Sequence, residues 1–279
     1  MSKQTRKREL ERLRARREAE RARARRRRAL ATYGGMAFVV VVAAVLGGLW
    51  LTRDDGTSAG AAATTAAPAT TAAPAFDDAR AGAPTAPAEV ACGGKIPPKV
   101  EHPTFSKPPT TKVDPDKTYL ATFQTSCGDF TVRLDPKKAP ITTANMVFLA
   151  GEKFYDSTWF HRIVPGGSAG IAVIQGGDPE GSGRGGPGYA IKDELPSSPK
   201  AYKQYSVAMA NSGPDTGGSQ FFINFEDNSK GLQANYSVFG EVVDGRDVVD
   251  KIAKVQVGGQ TGDTPAEAVW IEKLRVNES

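Results

Sequence analysis

Histidine and cysteine are scarce in this 279-residue chain, with two of each. Two cysteines exclude a disulfide-dense scaffold. A structural zinc site would need both of them together with His102 and His161, at a spacing that matches no zinc motif. A nucleophile pair or metal centre around His161 has no partner at a recognisable spacing either, so His161 taken alone reads as a structural hydrogen-bonding residue. No metal and no cofactor are expected.

An even spread of charge is also missing. The formal charge is +5, yet residues 1–30 hold 14 of the 36 Lys and Arg against 4 of the 31 Asp and Glu, a net of +10 that leaves −5 for everything after them. A mildly acidic globular part repels phosphate, so no nucleic-acid partner is expected for it. Hydrophobic residues at 39% and aromatics at 8% suffice for a core.

The basic tail, residues 1–32, has few large apolar side chains and cannot bury a core. Residues 33–52 (YGGMAFVVVVAAVLGGLWLT) run for twenty positions without a charge, which matches the roughly 20 residues that a helix needs to cross the hydrocarbon layer. Arg23 and Arg25 to Arg28 precede the run, and Arg53, Asp54 and Asp55 follow it. This asymmetry predicts a cytoplasmic N-terminus and an extracytoplasmic remainder. A cleaved signal peptide is the alternative, but the run is long and ends in bulky Leu49, Trp50 and Leu51 rather than a small-residue cleavage site. Residues 53–90 hold 15 Ala, 6 Thr and 4 Pro, a composition that predicts a disordered tether. Proline stays dense to residue 116, where Phe105 and other apolar residues suggest an arm packed on the next domain, so tether and arm together span 53–116.

Domain texture begins at residue 117 and continues to 279. TYLATFQTS and DFTVRL, separated by Cys127-Gly128-Asp129, predict a two-stranded hairpin. A helix follows Pro140, capped by Thr142 or Thr143 and ending at Gly151, and a second spans Arg246 to Val255. Short apolar runs divided by Gly, Pro, Asp and Asn fill the rest, ending in AVWIEKLRV. About eight short strands and two helices predict a mainly β fold, a closed antiparallel barrel capped by helices.

Two motifs invite other readings. Gly181-Ser182-Gly183-Arg184-Gly185-Gly186 satisfies the dinucleotide-binding pattern, but Pro187 and Gly188 stand where a helix should open. Asn235-Tyr236-Ser237 is a formal glycosylation acceptor, a triplet common by chance. What remains is a series of strings: Phe160-His161-Arg162-Ile163, Gln175-Gly176-Gly177-Asp178, Ala208-Met209-Ala210-Asn211, Ser219-Gln220-Phe221-Phe222-Ile223 and Val238-Phe239-Gly240. In this order and near this spacing they resemble the cyclophilin family of peptidyl-prolyl cis/trans isomerases, over about residues 118 to 277. The resemblance implies an eight-stranded antiparallel barrel with a helix at each end.

It also implies a chemistry. An X-Pro amide resists rotation by about 18 to 20 kcal/mol because the nitrogen lone pair is delocalised into the carbonyl. In the twisted state the lone pair returns to nitrogen, and a donor placed there stabilises that state more than either planar one. A guanidinium suits the task, and Arg162 matches the family's catalytic arginine. By the same resemblance Phe222 floors the proline pocket, Leu232 and Val173 wall it, and Gln175 bonds the substrate backbone. The main chain of Asn211 clamps the residue before proline, while His161, Ala210, Gln220 and Tyr236 complete the substrate contacts.

The sequence departs from the family in places. Twelve residues separate Arg162 from Gln175, more than the family's usual spacing, through the insertion GGSAGIAV. Ala172 stands nearest the pocket aromatic, Lys230 or Gly231 replaces the usual Trp, and Tyr236 replaces the usual His. These changes imply a shallower pocket and argue against strong cyclosporin binding.

Cys92 and Cys127 both fall outside the membrane in the proposed topology, where thiols oxidise. A bridge between them would staple the arm to the first hairpin; the alternative is two unrelated small residues. The expectation is therefore a membrane-anchored monomer isomerising X-Pro bonds in exported polypeptides. A proline-segment binding module with little turnover is the second reading, and a tail that binds nucleic acid or a cytoplasmic partner is a third.

Overall fold

The structure, a computed structural model, describes residues 85–167, 170–259 and 261–279. The basic tail, the apolar run 33–52 and the tether up to residue 84 lie outside the described residues. Among those described, no helix is long and apolar enough to cross a membrane.

Among the described residues the domain has eleven strands and two α-helices. In order they are β1 (Tyr119–Thr125), β2 (Gly128–Leu134), α1 (Pro140–Gly151), β3 (Thr158–Trp159), β4 (Arg162–Pro165), β5 (Ala172–Gly176), β6 (Ser206–Met209), β7 (Phe221–Asn224), β8 (Val238–Asp244), α2 (Arg246–Ala253), β9 (Val257–Gly258), β10 (Thr264–Pro265) and β11 (Trp270–Glu278). Nine strands make one antiparallel sheet in the order β3-β11-β1-β2-β8-β6-β7-β5-β4, and β9 pairs with β10.

This corrects the expected closed barrel of eight strands. Among the described residues no ladder joins the end strands β3 and β4. They are consecutive in sequence instead, separated only by Phe160 and His161. A chain extends at most about 3.3 to 3.6 Å per residue, so this short link draws the two edges together and curls the sheet. The seam is held from outside the ladder: Phe160 N donates to Val269 O at 2.9 Å, and Ile163 N to Asp263 O at 2.8 Å.

Alternation supplies the core. Phe123 and Phe130 stack at 4.7 Å across the first hairpin, and Phe221 meets Phe123, Tyr155 and Phe160. Helix α1 packs on β11, and α2 sets its buried Val249 and Ile252 against β2. The expected Thr142 or Thr143 cap on α1 is not used. The Glu194 carboxylate accepts from the Ile141 and Thr142 backbone N–H groups and from Thr142 Oγ, each at 2.8 Å. A carboxylate there satisfies orphan donors and complements the helix dipole. Helix α2 stops at Ala253, two residues short of the expected Val255.

The arm packs along the domain. Val90 bridges Ala268, Ala91 is buried in the core, and Cys92 is disulfide-bonded to Cys127. Farther on, His102 Nδ1 lies 2.9 Å from Phe154 O, and Val113 packs on the core.

Candidate active site

Successive residues of a strand face opposite sides of a sheet, and here the two sides divide the labour. Ile163, Ile174, Val207, Phe221 and Ile223 join the main core. Their neighbours Val164, Val173, Ala208 and Phe222 form a second apolar cluster with Tyr202, Leu232 and Tyr236. On this second side Arg162 pairs with Gln175, Gln175 with Phe222, and Phe222 with Ala208. One row across β4, β5, β7 and β6 thus carries a guanidinium, a carboxamide and an aromatic ring.

The polar end of the row is wired by hydrogen bonds. Arg162 Nε donates to Asp263 Oδ2 at 2.7 Å, and Nη1 to Gln175 Oε1 at 3.4 Å. Gln175 Nε2 donates to Gln220 Oε1 at 3.1 Å, and Gln220 Nε2 to Gly185 O at 3.0 Å. The Arg162–Asp263 pair is largely withdrawn from water, with side-chain exposures of 15% and 10%. A mostly buried ion pair with one fixed N–H direction orients the guanidinium plane.

At the apolar end, Phe222, Leu232 and Tyr236 keep 2%, 7% and 6% of their surface exposed. The Phe222 and Tyr236 rings meet edge-on at 5.3 Å. Beneath them Tyr202 Oη donates to Tyr236 O at 3.0 Å and accepts from Tyr236 N at 2.9 Å. Burial pushes the Tyr202 phenol up to about 12.

A groove of about 660 Å³ runs on from Gln175 and Gln220. One wall is the glycine-rich loop at residues 183–189, and the other holds Ala210, Asn211 and residues 216–220. The buried Asp178 carboxylate builds the first wall by accepting from the N–H groups of Glu180, Gly183 and Gly185 and from Ser182 Oγ. Gly185 has to be glycine, because a Cβ there would sit 1.9 Å from Asp178 Oδ1. The glycines of the dinucleotide-like string thus wrap a carboxylate of their own chain. Asn145 ties the walls from behind: its Nδ2 donates to Gly218 O, and its Oδ1 accepts from Tyr189 Oη, both at 2.7 Å. Burial raises the Tyr189 phenol to about 12 as well.

Of the residues singled out in the sequence, Arg162, Gln175, Phe222, Leu232, Tyr236, Ala210, Asn211 and Gln220 come together on this side of the sheet. The Asn211 side chain is turned to structure, with Nδ2 donating to Asn235 O at 2.9 Å, while the residue itself borders the groove. Two of the residues lie deeper. His161 is wholly buried with its ring edge-on to Trp159 at 6.3 Å. Val173 is also wholly buried within the apolar cluster, and the partly buried Ile171 packs against it. Ala172 is buried too, its backbone held on both sides by Asn228.

Asp263, Tyr202, Ile171 and Asp178 were missed as working parts of the site. Asp263 lies 101 residues from Arg162 in a loop without periodicity, and nothing local marks it. Asp178 did carry a signal, as the acid that closes the QGGD string. Among the described residues no group of three or more His, Cys, Asp or Glu could hold a metal ion.

A curled antiparallel sheet with two helices bears an arginine–glutamine–phenylalanine row beside an apolar cluster and a groove, the layout of one class of mainly β protein. Residues 120–276 match the family model of cyclophilin type peptidyl-prolyl cis-trans isomerases. The chain belongs to that family. It is 40% identical over 180 residues to peptidyl-prolyl cis-trans isomerase A of Mycobacterium tuberculosis, covering 58% of this chain and 94% of the relative. It is 42% identical over 173 residues to peptidyl-prolyl cis-trans isomerase B of Streptomyces anulatus, covering 56% and 95%. Among solved structures, a cyclophilin type isomerase of Cryptosporidium parvum superposes with a TM-score of 0.52 at 26% identity, over 58% of this chain and 99% of that one.

Proposed function

We propose that this chain accelerates cis/trans isomerisation of X-Pro bonds. The observation that carries the reading is the cross-strand row Arg162, Gln175, Phe222 and Ala208 over a separate apolar cluster. The names of the mycobacterial and streptomycete relatives point the same way. The proline ring seats on Phe222 against Leu232 and Tyr236, burying apolar surface. Gln175 and the main chain at Asn211 hold the flanking peptide groups. With one half fixed, the other turns, and the amide nitrogen regains its lone pair at the top of the barrier.

Arg162, oriented by Asp263, donates to that nitrogen. The bond is stronger in the twisted state than in either planar state, which lowers the barrier. Rotation transfers no proton and breaks no σ bond. The decisive experiment is NMR exchange of a peptide with one Ala-Pro bond. Wild type accelerates exchange, and Arg162→Ala loses about 10²-fold or more in kcat/KM, the scale set by removing one preorganised donor. Equal rates in the two proteins would overturn the role of Arg162. Peptide binding without acceleration would select the proline-segment binding module.

The reading extends to where the chain works. Residues 33–52 anchor it to a membrane as a single span, with the basic tail cytoplasmic and the isomerase domain outside, where it acts as a monomer on exported polypeptides. The support is the twenty-residue uncharged run and the arginines that precede it. Release of the full chain by alkaline carbonate, or resistance of the domain to protease added outside intact cells, would contradict this topology.

A further inference from the structure

The groove's first wall holds four glycines between residues 183 and 189. Glycine loses more conformational freedom on ordering than any other residue, so such a wall needs anchors. Asp178 anchors its first half. The second half, Pro187 to Tyr189, is anchored by the arm, which lies before residues 120–276 that match the family. Phe105 N donates to Pro187 O at 2.8 Å. Its ring meets Phe148 of α1 edge-on at 4.9 Å and reaches Tyr189 at 6.3 Å. Gly188, at φ +92°, passes so close that a Cβ would lie 2.6 Å from Phe105 O.

From these contacts we infer that Phe105 is a positioning residue for the substrate groove, and that the arm is a working part of the isomerase site. The inference rests on the isomerase reading for its substrate. Phe105 touches no substrate. It acts through Pro187 and Tyr189, and Tyr189 passes the constraint through Asn145 to Gly218 on the opposite wall. A preorganised groove avoids the ordering cost on binding. The effect therefore falls on substrates long enough to fill the groove and leaves the bond rotation at Arg162 alone.

The test uses the full chain with two peptides, one of four residues and one of ten, each with a single central Ala-Pro bond. Phe105→Ala raises KM for the long peptide about five- to tenfold with kcat within about twofold, the pattern of lost uniform binding. It leaves the short peptide unchanged, and Phe105→Tyr restores wild-type behaviour. Tyr189→Phe keeps the ring packing, removes the bond to Asn145, and raises KM for the long peptide by a smaller factor. An unchanged KM for the long peptide in both Phe105→Ala and Tyr189→Phe overturns the inference. So does an equal loss of rate on both peptides, which marks a purely structural role. If wild type accelerates neither peptide, the isomerase reading fails; fluorescence polarisation of the labelled ten-residue peptide then reads the same Phe105→Ala weakening as a rise in Kd, and an unchanged Kd overturns the inference.

Discussion

Arg162 and Asp263 stand 101 residues apart in sequence and 2.7 Å apart between Nε and Oδ2. The carboxylate holds the arginine at the seam of the curled sheet, where Asp263 O also accepts from Ile163 N. Asp263→Ala removes the bond that fixes the Nε direction and leaves the longer contact to Gln175. The expected result is a fall in kcat/KM of about tenfold, smaller than for Arg162→Ala because the donor remains but loses its orientation. Arg162→Lys should not rescue, since an ammonium cannot engage Asp263 and a substrate nitrogen with the same planar fork. Proline-peptide exchange rates on the three variants check both statements, and a fully active Asp263→Ala would refute the first.

Asp178→Ala would leave three backbone N–H groups and the Ser182 hydroxyl without their acceptor. Leaving a buried donor unsatisfied costs about 1 to 3 kcal/mol. The expected loss in unfolding free energy is about 3 kcal/mol or more, measured by urea denaturation. Gly185→Ala should produce a similar loss from the opposite partner, by driving a methyl group into the same carboxylate.

The Cys92–Cys127 bond closes a loop with a sequence separation of 35. Chain-entropy reasoning assigns such a loop about 3 to 4 kcal/mol of stabilisation. Urea midpoints with and without dithiothreitol should differ accordingly, and the paired Cys92→Ser, Cys127→Ser variant should match the reduced protein. Two thiols that label freely in the untreated protein would contradict the bond.

Tyr202 sets an alkaline limit. Burial raises its phenol to about 12, a shift partly opposed by the Tyr236 N–H it accepts. A group whose folded pKa lies above its unfolded value holds its proton more tightly when folded. Its contribution is therefore complete below the ordinary tyrosine value of about 10 and is lost as pH rises through that value toward about 12. Unfolding free energy should decline across this window together with a rise in phenolate absorbance. Tyr202→Phe should flatten the part of the decline that Tyr202 contributes.

The local pattern of the chain revealed much of this architecture. Alternation in TYLATFQTS and DFTVRL located the first hairpin, and Gly151 marked the end of α1, whose start lies at Pro140 rather than after a Thr142 or Thr143 cap. Arg162, Gln175 and Phe222 were marked by the family resemblance of FHRI, QGGD and SQFFI, and strand pairing places them on one side of the sheet. Long-range partners were not legible. Glu194 caps α1 from 53 positions away, and nothing in a helix start reveals a distant acid. Sheet closure was misread for a related reason: a count of short strands does not say whether the end strands pair, and among the described residues β3 and β4 do not.

Because one set of strands serves both faces, the domain is sensitive to parity. A single residue gained or lost inside β4, β5 or β7 would exchange the roles of neighbours, sending Phe222 into the core and Phe221 out to the pocket. Length can vary only where no strand must be counted through. The extra residues between Arg162 and Gln175 fall largely between the end of β4 and the start of β5, and the pairing of Arg162 with Gln175 survives them. Change in this protein is channelled by arithmetic: loops can drift by any number, and the strands beneath the pocket only by two.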